Sequence, residues 1–224
     1  SGSFSAPFRD PQVRGFMLTL ALIAAVMVAW QVAASDRGWE PAIRKALFNV
    51  TSILTGTGYA SEDYMLWGSF PVALFFFIGL IGGCAGSTAC SIKIFRYQLL
   101  FASIRAQIRS IHSPRGMFAP RYDGRPVSED VLNSVMAFFM LFIVTLGILA
   151  VLLGMTGLDF TTSVSGAAAA LANIGPGLGD EIGPAGNFAG LNDTAKWLLA
   201  GAMFLGRLEL IVVFAIFTLR FWRG

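Results

Sequence analysis

The chain has 224 residues, of which 55% are hydrophobic and 13% charged, with a net charge of +3. A soluble domain carries about 25% charged residues, so this composition excludes a soluble enzyme and points to an integral membrane protein, all-α and polytopic. With one histidine and two cysteines, Cys84 and Cys90, there is no ligand set for zinc; both cysteines lie in an apolar, glycine-rich stretch and are expected to be small buried residues.

In chain order, residues 1–13 are a polar leader. Ser1-Gly2-Ser3 reads as a cloning remnant, and no cleavable signal is visible. Residues 14–111 form a first unit. Gly15 to Ala34 is long enough for one crossing, which takes about 20 apolar residues. Pro41 is expected to open a helix running to Leu54, roughly 14 residues or about 21 Å. That is too short for a hydrocarbon core of about 30 Å, so this helix enters part-way and returns through Thr55-Gly56-Thr57-Gly58-Tyr59. Trp67 to Ile111 as one straight helix would reach roughly 67 Å. It is therefore expected to break at Gly82-Gly83-Cys84-Ala85-Gly86-Ser87, about 22 Å along and below the bilayer midplane, to resume at Ile92, and to run out of the membrane.

Residues 112–130 are a polar linker, and residues 131–224 form a second unit. Val131 to Leu153 is a full span. Asp159 is a candidate N-cap for a second short helix, Phe160 to Ala172, followed by the loop Asn173-Ile174-Gly175-Pro176-Gly177. A long loop then leads to a last span, Thr194 to Trp222. Span, half-helix, loop and span thus occur twice, an internal repeat of about 110 residues.

The two loops align with Gly58 over Gly175. Each follows a helix whose C-terminal end carries about half a negative charge, which suits a cation. Loops of small residues can line up backbone carbonyls that replace the water around an ion. The bland alternative is a tight turn between helices; two such loops in register, each after a helix too short to span, favour an ion filter. Arg9, Arg14, Arg96, Arg105, Arg109, Arg115, Arg121, Arg125, Arg220 and Arg223 fall on one side of this layout, and most of the acids on the other. By the positive-inside rule the arginine-rich side and both termini are cytosolic, and the loops open under an acidic vestibule that concentrates cations.

These residues carry a resemblance. Thr55 to Tyr59, Gly-Gly-Cys-Ala-Gly-Ser-Thr-Ala at 82–89, Ser-Ile-Lys at 91–93, Asn-Ile-Gly-Pro-Gly at 173–177 and Gly-Arg-Leu-Glu at 206–209 resemble the Trk/Ktr/HKT family of potassium transporters, above all its bacterial Trk branch. The resemblance implies four pore units around one ion path, of which this chain matches the third and fourth; it would be a half-transporter or a fragment. It implies a potassium filter at Thr55, Gly56, Thr57, Gly58 and Tyr59 with Asn173, Ile174, Gly175 and Pro176, potassium being the substrate and no cofactor being needed. It implies a gating loop at Gly82, Gly83, Cys84, Ala85, Gly86 and Ser87 beneath the filter, with Arg207 of the last helix beside it. It further implies a bacterial inner-membrane location, a dimer in the full assembly, and a cytosolic nucleotide-binding regulatory ring on the basic inner face. Gly56 stands where the family often has Thr or Val, Cys90 where Gly is common, and Asn173 and Pro176 make the fourth filter element unlike a channel's.

The same residues allow other readings. Gly79/Gly83 and Gly82/Gly86 are also spaced for close helix packing. Ser87 as a protease nucleophile lacks a base, since the only histidine is His112 in the linker. No Lys follows Gly86 to make a phosphate loop. Lys93 is expected to snorkel to the interface. Two pore units cannot close a ring of four, so a partner chain or a second copy must complete the path. The alternative function is a non-conducting membrane scaffold or accessory subunit.

Overall fold

The computed structural model describes residues 9–34, 38–87, 89–113, 116 and 118–208. Helix α1 (Pro11–Ala34) has 24 residues, about 36 Å, and is long and apolar enough to cross a membrane. Helix α2 (Trp39–Thr55) begins two residues before the expected Pro41. Pro41 still falls in the first turn, where backbone N–H groups have no intrahelical partner, so its missing donor costs nothing. Glu40, also in that turn, suits the positive end of the dipole and pairs with Arg44 at 2.9 Å.

After a 3-10 turn at Tyr64–Trp67, helix α3 (Ser69–Gly79) has only 11 residues. The break therefore comes about 16 Å along, near the middle of a core of about 30 Å, earlier than the glycines alone indicate. The returning chain fixes it there. Strand β1 (Ile81–Gly82) pairs in parallel with β2 (Ile92–Lys93). The Ile92 N–H donates to Leu80 O at 3.1 Å, and the Ser91 hydroxyl donates to Gly79 O at 2.9 Å. The carbonyls that a continuing helix would have bonded are thus satisfied from across the break, as non-helical backbone inside a membrane requires. Residues 82–87 are not helical, so the glycine spacing does not serve helix-helix packing.

Helix α4 (Ile94–His112) resumes two residues later than expected, because Ile92 and Lys93 are held in the strand pair. The polar linker contains a hairpin that its prolines did not suggest, β3 (Arg121–Tyr122) with β4 (Arg125–Pro126), turning through Asp123 and Gly124 at positive φ. Helix α5 (Glu129–Met155), with 27 residues, is the second helix long enough to cross. Helix α6 (Phe160–Ala172) is capped by Asp159, which accepts from the Thr162 N–H at 3.2 Å. Helix α7 (Asp193–Arg207) is capped by Asn192, which accepts from Ala195 N–H at 2.8 Å. The remainder of the expected last span, from 209 onward, lies outside the described residues.

The packing divides by repeat. One apolar core joins α1, α2 and α3 through Met27, Val50, Leu54, Tyr64, Phe75 and Ile78; the other joins α5, α6 and α7. Ala172, Ile174 and Leu178 of the second repeat sit in the first core and bind the two together. The outward faces of α1 and α5 are apolar and exposed, with Leu18, Leu22, Met140, Ile143 and Val151 uncovered. In lipid this costs nothing, and helix contacts rest on close packing instead. Helix α6 shows that packing: Ala167 to Ala172 are all buried.

Candidate functional site

Both short helices end in the same way. Gly56 after α2 (φ 73°) and Asn173 after α6 (φ 51°) are left-handed. Gly56 N–H donates to Ile53 O at 3.1 Å and Thr57 N–H to Ser52 O at 2.8 Å; Asn173 N–H donates to Ala170 O at 3.2 Å and Ile174 N–H to Ala169 O at 3.1 Å. Each pair of bonds is a Schellman cap, and the caps are in register. Two residues on, Gly58 (φ 79°) and Gly175 (φ 116°) are again at positive φ, a conformation that costs a side chain and not glycine. Asparagine is the tolerated exception in the left-handed region. Asn173 is further held by its Nδ2, which donates to Met203 O of α7 at 2.9 Å.

The loops meet. A Cβ on Gly58 would overlap the carbonyl oxygen of Ile174. Among the described residues, no donor in the chain bonds to the carbonyls of Gly56 to Tyr59 or of Ile174 to Pro176. Apart from Ile174 these residues are half-buried or exposed, so their carbonyls are open to water or to an ion, and a run of them on two touching loops is a set of oxygen ligands. The Thr55 and Thr57 hydroxyls, 2.8 Å apart, lie beside the first run.

Polar side chains that the sequence reading did not single out brace these loops. Asn49, fully buried in α2, donates to Ser61 Oγ at 2.8 Å and accepts from Ser61 N–H at 3.1 Å. Ser165 of α6 does the same in the second repeat, donating to Leu178 O at 3.1 Å and accepting from Leu178 N–H at 2.9 Å. Glu62 joins the outer rim, accepting from Trp67 Nε1 at 2.7 Å and pairing with Lys45. The signal for Asn49 and Ser165 was present: each is a polar residue on the inward face of a short helix, about two turns before a loop.

The glycine-rich stretch divides into a fixed base and an exposed tip. Gly82 and Gly83 are buried; Gly83 O accepts from Ile94 N–H at 3.1 Å, and Ser91 backbone crowds Gly82. Ala85, Gly86 and Ser87 are exposed, closed by a turn in which Ser87 N–H donates to Cys84 O at 3.0 Å. The tip is tethered to α1, Ala85 N–H donating to Gln12 Oε1 at 2.7 Å. Neither cysteine is fully buried; both are half-buried. Arg207 is exposed and its guanidinium lies 3.5 Å from Cys90 Sγ. It shares a cavity of about 300 Å³ with Ser87, Cys90, Lys93, Arg96 and Phe138. Lys93 thus lines this cavity from β2. Arg96 stacks 3.8 Å over the Phe138 ring. Arg207 is brought to the Ser87–Ser91 arm of the break, and Gly82 and Gly83 do not line the cavity with it.

The chain is 45% identical over 222 residues to the Trk system potassium uptake protein TrkI of Halomonas elongata, covering 99% of this chain and 45% of that protein. It is 34% identical over 219 residues to the Trk system potassium uptake protein TrkG of Escherichia coli, covering 96% and 44%. The chain therefore spans about half the length of these relatives. Its backbone superposes on the crystal structure of the potassium transporter TrkH from Vibrio parahaemolyticus with a TM-score of 0.91 at 30% identity, covering 98% of this chain and 46% of that one. Residues 6–221 match the TrkH family of cation transport proteins, and with a backbone that agrees over nearly its whole length the chain belongs to that family.

Proposed function

We propose that the chain supplies two of the pore units of a potassium-uptake path, with Thr55, Gly56, Thr57, Gly58 and Tyr59 and Asn173, Ile174, Gly175 and Pro176 as its share of the selectivity filter. The observation that carries this reading is the pair of touching loops whose carbonyls receive no hydrogen bond from the chain. Carbonyl oxygens so disposed exchange for an ion's hydration shell. The C-terminal ends of α2 and α6 both stop at these loops and add negative potential. The names of the relatives supply potassium as the ion.

The same reading makes the Cys84–Ser87 tip a gate and Arg207 an electrostatic barrier to cations beneath the filter. It sets the arginine-rich face and both termini on the cytosolic side of a bacterial inner membrane. It requires a further half, a partner chain or a second copy, and gives the basic inner face to a nucleotide-binding regulator. The test is rubidium and sodium uptake in cells lacking their own potassium uptake, with the chain supplied together with its complementary half. Rubidium uptake selective over sodium is expected. An inserted, assembled protein that moves neither ion would make the chain a scaffold or accessory subunit.

A further inference from the structure

On the face opposite the filter loops, α4 and the segment Phe118–Arg121, which leads into β3, flank an open cavity of about 380 Å³ lined by Ala102, Arg105, Ala106, Arg109, Phe118 and Arg121, among others. Arg105 and Arg109 are one turn apart on α4, and Arg121 faces them from β3. No acid lines this cavity, and among the described residues none of the three arginine side chains makes an ion pair or a hydrogen bond. The three arginines are solvent-exposed; three like charges around one hollow attract an anion, and the guanidinium fork fits phosphate oxygens two at a time. The alanines are what leave the space: longer side chains at 102 and 106 would fill it.

Two placements bear on the identity of the anion. Arg105 lies eleven residues beyond Ile94, about 17 Å along the helix. The break before it lies near mid-membrane, and half the hydrocarbon core is about 15 Å; Arg105 therefore reaches the headgroup level. Beside the arginines, the same helix exposes Phe101, Ile104, Ile108 and Ile111 at helical spacing. A helix with an apolar stripe next to fixed cations at that level holds an acyl chain along the stripe and a headgroup at the cations. We infer that the Arg105–Arg109–Arg121 cavity is a binding site for the phosphate of an anionic phospholipid. A choline headgroup would bring a fourth positive charge to the cavity and is disfavoured.

The test is native mass spectrometry of the purified full chain in detergent, titrated separately with dioctanoyl phosphatidylglycerol, dioctanoyl phosphatidylcholine and inorganic phosphate. One phosphatidylglycerol is expected to be retained at least tenfold more tightly than phosphatidylcholine. The double variant R105Q/R109Q should lose that preference. A106L, which keeps every charge and fills the cavity, should lose it too. R125Q, on the same hairpin but outside the cavity, should keep it. Circular dichroism on each sample reports folding; if the double variant loses helix, R121Q on the hairpin and A106L carry the same expectation. Equal retention of the two lipids, or retention unchanged in A106L and R121Q, overturns the proposal. Inorganic phosphate binding with the same dependence on the arginines, and displacing phosphatidylglycerol, would identify a free-phosphate site and overturn the lipid assignment.

Discussion

At Gly58 two demands meet in one residue: a φ of 79°, and a Cα packed so closely on the Ile174 carbonyl that a Cβ has no room. Gly58→Ser should therefore part the two loops and shift their carbonyls. The expected outcome is a loss of rubidium-over-sodium discrimination in uptake assays, with membrane abundance close to that of the unsubstituted protein. Retained discrimination would remove Gly58 from the filter. Asp159 makes a different prediction. Its carboxyl is held below the usual carboxylate range by its bond with the Thr162 side chain, against the opposing effect of burial and with help from the backbone N–H groups of the first turn. A depressed folded pKa means that the stabilisation is present above the ordinary carboxylate pKa and is lost as pH falls through the folded value. Asp159→Ala should cost about 0.5–2 kcal/mol in thermal unfolding at neutral pH. Asp159→Asn, which keeps a capping oxygen without the charge, should cost less and should flatten the acid dependence.

At the scale of elements, the interrupted helix α3–α4 turns a packing problem into a device. The strand pair β1–β2 satisfies the backbone at the break, and the exposed tip beyond it, Ala85 to Ser87, is tethered to Gln12 of α1. Deleting Ala85 and Gly86 should raise rubidium leak without changing abundance. Unchanged flux in a normally abundant deletion variant would count against a gate. Arg207 lines a cavity together with Ser87 of that tip, and its proposed role as a barrier starts from that placement. On insertion scales an arginine at the centre of a membrane costs roughly 2.5–3.5 kcal/mol. Arg207 is exposed and lines a cavity of about 300 Å³, where water in place of lipid would relieve that cost. Arg207→Ala should then increase rubidium uptake at constant abundance. A parallel fall in uptake and abundance would instead mark a structural ion pair, whose loss strands a buried charge.

For the whole molecule, the proposed complementary half would sit on the face of α2 that carries the first loop. A cavity of about 590 Å³ there is lined by Arg44, Leu47, Phe48, Thr51, Ser52, Thr55, Thr57 and Tyr59. A charge and several hydroxyls beside exposed aromatics suit neither lipid nor bulk water, and a protein surface that mixes the two would cover them. Phe48→Glu should abolish uptake and co-purification with the complementary half, or with a second tagged copy, while the chain still inserts. Co-purification at the unsubstituted level would move the contact to another face. The Phe48 face and the proposed lipid site are separate, since no residue lines both cavities.

Helix-length arguments made much of this architecture legible in one dimension. The number of residues in an apolar run is a distance across a bilayer, so Pro41–Leu54 and Phe160–Ala172 had to be short helices that turn back. Glycine chemistry supplied the register, Gly58 over Gly175, because both positions need a left-handed backbone. Other features depended on contacts between residues far apart in sequence. The break falls at Gly79–Leu80, and not at the glycines, because Ser91 and Ile92 return to bond its carbonyls. Arg207 faces Cys90 across 117 residues, and Arg121 of an unforeseen hairpin completes a cationic cavity with Arg105 and Arg109. Periodicity and membrane thickness act along the chain and can be read from it. Which polar groups meet across a break depends on how the segments pack, and only the tertiary structure decided that.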